Sequence, residues 1–267
     1  MTHLRRSRYC ATAVALLMAM ACAQAQPPVA VNPLLLKPVD QVTPDEVRGM
    51  QQRLSDWPNL ARYREANARV PAKQAGVPRV LFYGDSITQL WGEKDPAQFF
   101  PGKGYLNRGI SGQTTPQMLL RFRQDVIALQ PDVVLILAGT NDIAGNTGPS
   151  TQAMIEDNLH AMVELARAHG IRVVLASVLP VSEYRWMPGI EPAPKVRALN
   201  AALKQYADAQ GLVYLDYYTA MANAAGGLDP ALAADGVHPT AKGYAVMAPL
   251  AERAIERALA ATPPGAR

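Results

Sequence analysis

The run DVVLILAG, Asp132 to Gly139, is apolar at every position from Val133 to Ala138 and shows no polar alternation. A strand with one wet face would alternate, so an unbroken run of this length reads as a central strand covered on both faces. Working outward from it, further strands are predicted at 79–84, 104–108, 171–177 and 212–216, beside 132–138 itself. Helical patterns lie between them. Ile155, Leu159, Met162, Val163 and Ala166 form one stripe within 151–168, which Gly170 ends. Val196, Leu199, Leu203 and Tyr206 form another within 194–209, closed by Gly211, and a last helix covers about 240–260. Strands alternating with helices, without a repeat or linker, predict an α/β domain with a mainly parallel sheet. Upstream, residues 27–45 read as a proline-spaced surface arm. Thr43 to Val70 reads as helix with a break at Trp57-Pro58.

The N-terminus carries a different message. Arg5, Arg6 and Arg8 precede the apolar stretch Ala11 to Ala21, and Ala23-Gln24-Ala25 supplies the small-x-small pattern of a cleavage site. The apolar stretch is too short for a permanent span. Residues 1–25 are therefore expected to be a secretory signal, and the protein to be exported, periplasmic or secreted. Cys22 is an alternative lipid acceptor, although Ala19-Met20-Ala21 lacks the leucine that such a site usually begins with. Cleavage would leave 267 − 25 = 242 residues, without cysteine, and would change 26 basic against 22 acidic residues to 23 against 22. No basic stripe or aromatic platform points to nucleic acid. The expected division is 1–25 signal, 26–76 arm and helical segment, and 77–262 the main domain.

In an open parallel sheet, ligands sit beyond the carboxyl ends of the strands, so the loops after each strand deserve scrutiny. Within RVLFYGDSITQLW (Arg79 to Trp91), Ser86 follows the first strand and opens a helical segment predicted over 86–91, where its own N–H is an orphan donor. It reads as a nucleophile or merely as a cap. In NRGISGQTT (Asn107 to Thr115), Gly109 and Gly112 would let the backbone approach a ligand closely, or simply make a turn. In AGTNDIAGN (Ala138 to Asn146), the Asn141 carboxamide could donate to a developing oxyanion, or Asn141-Asp142 could be turn formers. In ADGVHPTAKGY (Ala234 to Tyr244), Asp235 and His238 are three apart. Their carboxylate could fix the imidazole tautomer, or they could be a cap beside a structural histidine.

The order and wording of four blocks resemble the SGNH (GDSL-type) hydrolases: Gly84-Asp85-Ser86, Gly112, Gly139-Thr140-Asn141-Asp142 and Asp235-Gly236-Val237-His238-Pro239. The resemblance covers residues 79 to about 255. It implies a three-layer α/β/α sandwich with a five-stranded sheet and a serine esterase that forms an acyl-enzyme. It also implies Ser86, Asp235 and His238 as catalytic residues and an oxyanion hole from the Ser86 and Gly112 amides and the Asn141 side chain. A serine hydroxyl needs a base within reach. Of the histidines outside the signal, His160 sits mid-helix and His169 at a helix end, which leaves His238.

No metal or other cofactor is implied. A metal-dependent phosphoesterase would need more ligands, typically several histidines. A non-catalytic carbohydrate-binding protein on the same fold would be expected to lose Ser86 or His238, and both are present. The expected substrate is a small-molecule or carbohydrate ester, with short-chain acyl or carbohydrate O-acetyl esters favoured because no long apolar lid is evident. Longer acyl chains, as in lysophospholipases and thioesterases, form the alternative. Tyr184, Arg185 and Trp186 in VSEYRWMPGIEPAPK (Val181 to Lys195) are candidate substrate contacts or loop packing. Asp85 is a further candidate contact, though Asp85 and Asp142 read first as residues that hold their loops. Oligomeric state is not readable from the chain.

Overall fold

The computed structural model describes residues 36–264. The expected signal, Cys10, Cys22 and the first part of the arm lie outside the described residues. Helix α1 spans Pro44–Ser55 and α2 Arg64–Ala68. They are followed by β1 Val80–Gly84, α3 Ser86–Gln89, β2 Leu106–Gly109, α4 Thr115–Asp125, β3 Val133–Leu137 and α5 Thr140–Ile143. The rest comprises α6 Gln152–Ala168, β4 Arg172–Ala176, α7 Pro192–Gln210, β5 Val213–Leu215, α8 Tyr217–Met221 and α9 Ala241–Ala260.

All four strand pairings are parallel, in the order β2-β1-β3-β4-β5. Successive residues of the central strands alternate between two apolar layers. Leu81, Tyr83, Val134 and Ile136 join the layer that holds Met118, Phe122, Leu159 and Leu199. Val80, Phe82, Val133 and Leu135 join the layer of Trp91, Phe100, Met247 and Ala251. Both faces are buried, which is why Asp132 to Gly139 shows no polar position to mark an outside. The chain leaves β1 toward one edge and returns past it to β3, so the order in which strands are added reverses between these strands. The crevice at such a reversal is where open α/β sheets bind ligands. Ser86 follows β1 and Asn141 follows β3.

The strands are one or two residues shorter than expected at their ends, except that β2 runs on to Gly109. The upstream helix departs further from its expected course. It stops at Ser55, because the Asp56 carboxylate takes the Leu60 and Ala61 amides, both at 2.8 Å, and Asn59 adopts φ 58°. Residues 56–63 are consequently non-helical, a wider break than Pro58 alone dictates. Residues 36–43 are largely exposed, as an arm would be, but α1 already begins at Pro44, where Thr43 and Glu46 form a capping box. Among the described residues, no helix is long and apolar enough to cross a membrane.

Candidate active site

The turn that carries Ser86 is compressed by design of its glycines. A Cβ on Gly84 would lie 2.1 Å from Thr88 Oγ1 and 2.8 Å from the Leu137 carbonyl oxygen. A Cβ on Gly109 would lie 2.2 Å from the Gln89 amide nitrogen. The expectation that Gly109 admits a ligand is therefore corrected: the nucleophile turn itself occupies the space that a side chain would need. Gly112 differs, for it is exposed, adopts φ +76° and has its nearest foreign neighbour 3.9 Å from a built Cβ. Its requirement is conformational. Helix α3 is shorter than the expected 86–91. Its Ile87 amide donates to Asp85 Oδ1 at 2.9 Å, and the Tyr244 hydroxyl donates to the Ile87 carbonyl at 2.8 Å.

His238 Nε2 lies 2.9 Å from Ser86 Oγ, across 152 residues of chain. Its other ring nitrogen, Nδ1, lies 2.6 Å from Asp235 Oδ2. A carboxylate can only accept, so Nδ1 carries the proton and Nε2 is left as an acceptor facing the hydroxyl. Asp235 Oδ1 meanwhile accepts from the Val237 and His238 amides at 2.9 and 2.7 Å. Burial opposes ionisation of Asp235, but the His238 ring and those two amides outweigh it and hold the carboxyl below the usual aspartate range. Thr240 secures the loop, its amide donating to the Leu232 carbonyl and its hydroxyl to that of Ala231. The other histidines among the described residues are elsewhere: His160 stacks on Tyr206, and His169 caps its helix through the Leu165 carbonyl.

Among the described residues, neither the Ser86 nor the Gly112 amide donates to a partner. Asn141 is buried, and its amide group is more occupied than the sequence implies. It donates to the Gln113 carbonyl at 3.0 Å and, more loosely, to Asp85 Oδ2 at 3.3 Å. Its oxygen accepts from Asn146 Nδ2 at 2.8 Å, while Asn146 Oδ1 accepts from Trp186 Nε1 at 3.2 Å. Asn146 also reaches the Gly112 carbonyl, and Gln89 Oε1 takes the Ser111 amide at 2.7 Å. Asn146 and Gln113 are thus structural neighbours of the site that the residue pattern did not single out. Asn146 stood inside a quoted motif, but nothing in its spacing marked it.

Two of the four candidate substrate contacts are corrected by burial. Asp85 is 1% exposed and Tyr184 is 1% exposed, with its hydroxyl engaged by Thr140 at 2.9 Å. Both are engaged in holding their loops and line no open surface. Arg185 is exposed beside Glu183, and Trp186 is 42% exposed at the rim while its indole touches Asn146. Asp142 takes the Thr115 amide and hydroxyl, tying α5 to α4. Desolvation pushes the carboxyls of Asp85 up to about 7 and Asp142 up to about 6, against the amide and hydroxyl bonds that favour their charged forms. Among the described residues, no three or more His, Cys, Asp or Glu are grouped to hold a metal ion.

Comparison with known proteins places this geometry among relatives. A profile of the GDSL-like lipase/acylhydrolase family matches residues 82–246. The solved structure of a GDSL-like lipase from Bacteroides thetaiotaomicron superposes with a TM-score of 0.73 at 44% identity, covering 76% of this chain and 99% of that one. An acetylxylan esterase from Geobacillus stearothermophilus is 29% identical over 199 residues, 64% of this chain and 90% of its own. An uncharacterized lipoprotein from Bacillus subtilis is 42% identical over 82 residues, 29% of this chain and only 33% of the relative's length.

Proposed function

The chain belongs to the GDSL-like lipase/acylhydrolase family and is a carboxylic ester hydrolase, and from that premise we propose that it is an exported serine esterase acting on short-chain or carbohydrate O-acetyl esters. The observation that carries the mechanism is the chain of two short contacts, Ser86 Oγ to His238 Nε2 and His238 Nδ1 to Asp235. His238 takes the hydroxyl proton as Ser86 attacks the ester carbonyl, and a general base so placed is typically worth ~10²–10⁴ in rate. The imidazolium that forms is steadied by Asp235 and returns its proton to the leaving alcohol. The acyl-enzyme is then hydrolysed by a water that His238 activates in the same way.

The tetrahedral anion is held by the unpartnered Ser86 and Gly112 amides together with Asn141. The 3.3 Å contact of Asn141 with Asp85 is the longer of its two donations, and its hydrogen is the one that an oxyanion beside Ser86 would take. Asn141→Ala is accordingly expected to leave KM nearly unchanged and to lower kcat by about 10²–10³. A rise in KM with an unchanged kcat would assign Asn141 to ground-state binding instead.

The acetyl preference is supported by the acetylxylan esterase relative, and export by the expected signal at residues 1–25 and by the lipoprotein relative. A p-nitrophenyl ester series from acetate to laurate, run beside acetylated xylo-oligosaccharides and a lysophospholipid, tests the substrate reading. Rates highest with acetate and with the acetylated sugar are expected. Rates rising toward laurate and the lysophospholipid would overturn it.

A further inference from the structure

Helix α1 presents a puzzle of placement, because none of its residues is buried. A helix that adds nothing to a core is held by something else, and here three glutamine side chains hold the segment that follows it. Gln117 donates to the Trp57 carbonyl at 2.7 Å, Gln113 to that of Pro58 at 2.8 Å and Gln124 to that of Leu60 at 2.7 Å. Tyr63 donates to the Gly109 carbonyl, so the segment is tied to β2 as well.

The clamp leaves a cleft of about 440 Å³ between α1 and the loop of Gly112, within the ~300–1,000 Å³ typical of small-molecule sites. One wall carries Gln52, Arg53 and Trp57, and the other Ser111, Gly112 and Asn146. The second wall is continuous with the active site, since Asn146 donates to Asn141 and to the Gly112 carbonyl. The first wall lies upstream of the family-matched residues 82–246. Among the described residues, Arg53 forms no ion pair and the Arg53 and Gln52 side chains form no hydrogen bond, whereas the Asp56 carboxylate is already occupied by two amides. Guanidinium, carboxamide and hydroxyl groups around a half-buried indole suit a ligand with many hydroxyls and weakly polar ring faces. They suit an alkyl chain poorly.

We infer that this cleft is the subsite for the alcohol part of the ester, that its occupant is a carbohydrate, and that Arg53, Gln52 and Trp57 set this specificity. The inference rests on the esterase reading above and assigns a role to the N-terminal helical segment. Arg53 and Gln52 offer planar arrays of donors to vicinal hydroxyls, while Trp57 supplies the apolar face. The acyl group then lies on the opposite side of the tetrahedral carbon.

The test is the ratio of kcat/KM for acetylated xylo-oligosaccharide to that for p-nitrophenyl acetate, in the full chain. Arg53→Ala is expected to lower this ratio roughly tenfold, as loss of a charged hydrogen bond would. Gln52→Ala is expected to lower it less, and Arg53→Lys to restore part of it. In parallel, the deacetylated oligosaccharide should inhibit the wild type competitively and the Arg53→Ala variant more weakly. All three substitutions are at exposed positions, so circular dichroism and thermal unfolding should stay at wild-type values. A wild-type enzyme that cleaves the acetylated sugar well, with an unchanged ratio in Arg53→Ala and Gln52→Ala, would overturn the subsite. A wild type that cleaves p-nitrophenyl acetate but not the acetylated sugar would overturn the carbohydrate reading itself.

Discussion

Replacing Ser86 with alanine is expected to lower kcat by about 10⁶, and replacing His238 with alanine to lower it by about as much, with the double variant no worse than either. The equality follows from the geometry. The hydroxyl is a poor nucleophile without the imidazole 2.9 Å away, and the imidazole has no bond to make without the hydroxyl. Asp235→Asn should cost less, on the order of 10⁴, because the Asp235 carboxylate orients and charges the ring without touching the ester. Single-turnover kinetics with p-nitrophenyl acetate, read beside labelling by a fluorophosphonate probe, checks all three. Labelling should vanish in Ser86→Ala and fall sharply in His238→Ala. Wild-type labelling in Ser86→Ala would remove Ser86 from the mechanism. Losses of equal size in Asp235→Asn and His238→Ala would refute the division of labour between them.

The largest effect on stability is expected at Arg121, which is wholly buried. Its guanidinium donates to Gln113 Oε1 at 2.5 Å, to the Gly84 carbonyl at 3.1 Å and to Asp125 at 3.2 Å, while lying 4.2 Å over the Tyr83 ring. Arg121→Ala would leave the buried Asp125 carboxylate without its cation, with only neutral donors such as Asn67 beside it, and would leave Gln113 Oε1 open, while the Gly84 carbonyl keeps the Ile110 amide. Breaking a buried pair in this way costs roughly 3–5 kcal/mol, which in a chain of this size lowers Tm by roughly 10 °C. Activity should fall as well, because Gly84 precedes the nucleophile turn and Gln113 supplies the carbonyl that holds Asn141. The double variant Arg121→Met with Asp125→Leu should recover part of the Tm, since an apolar pair of similar volume carries no desolvation cost, while activity stays low. Calorimetry and ester turnover on the same preparations decide this. A Tm within 2 °C of wild type in Arg121→Ala would show that the pair contributes little.

Much of this arrangement was readable from residue order because its causes are local. The strands announce themselves through apolar runs, and α6 and α7 through their stripes and the glycines that end them. The four post-strand blocks could be aligned with a known family because each has a fixed wording. Burial was not readable. Tyr184 sits between Arg185-like exposed neighbours in sequence, yet its ring enters the core and its hydroxyl meets Thr140. Nor can a sequence disclose that the gap at Gly109 is filled by Gln89 and Thr88, twenty residues upstream, rather than by a ligand. Neither α4 nor Arg121 was singled out in the sequence, and the partners of Arg121 come from β1, from the Gly112 loop and from its own helix. Long-range polar networks of this kind leave no period in the chain.

The distance in sequence between Ser86 and His238 has a consequence for biogenesis. His238 follows Ser86 by 152 residues, and it stands just ahead of α9, which packs on β3, β4 and β5. A nascent polypeptide therefore carries its hydroxyl without a base until the intervening residues have been made, and hydrolytic competence must wait for that long-range closure.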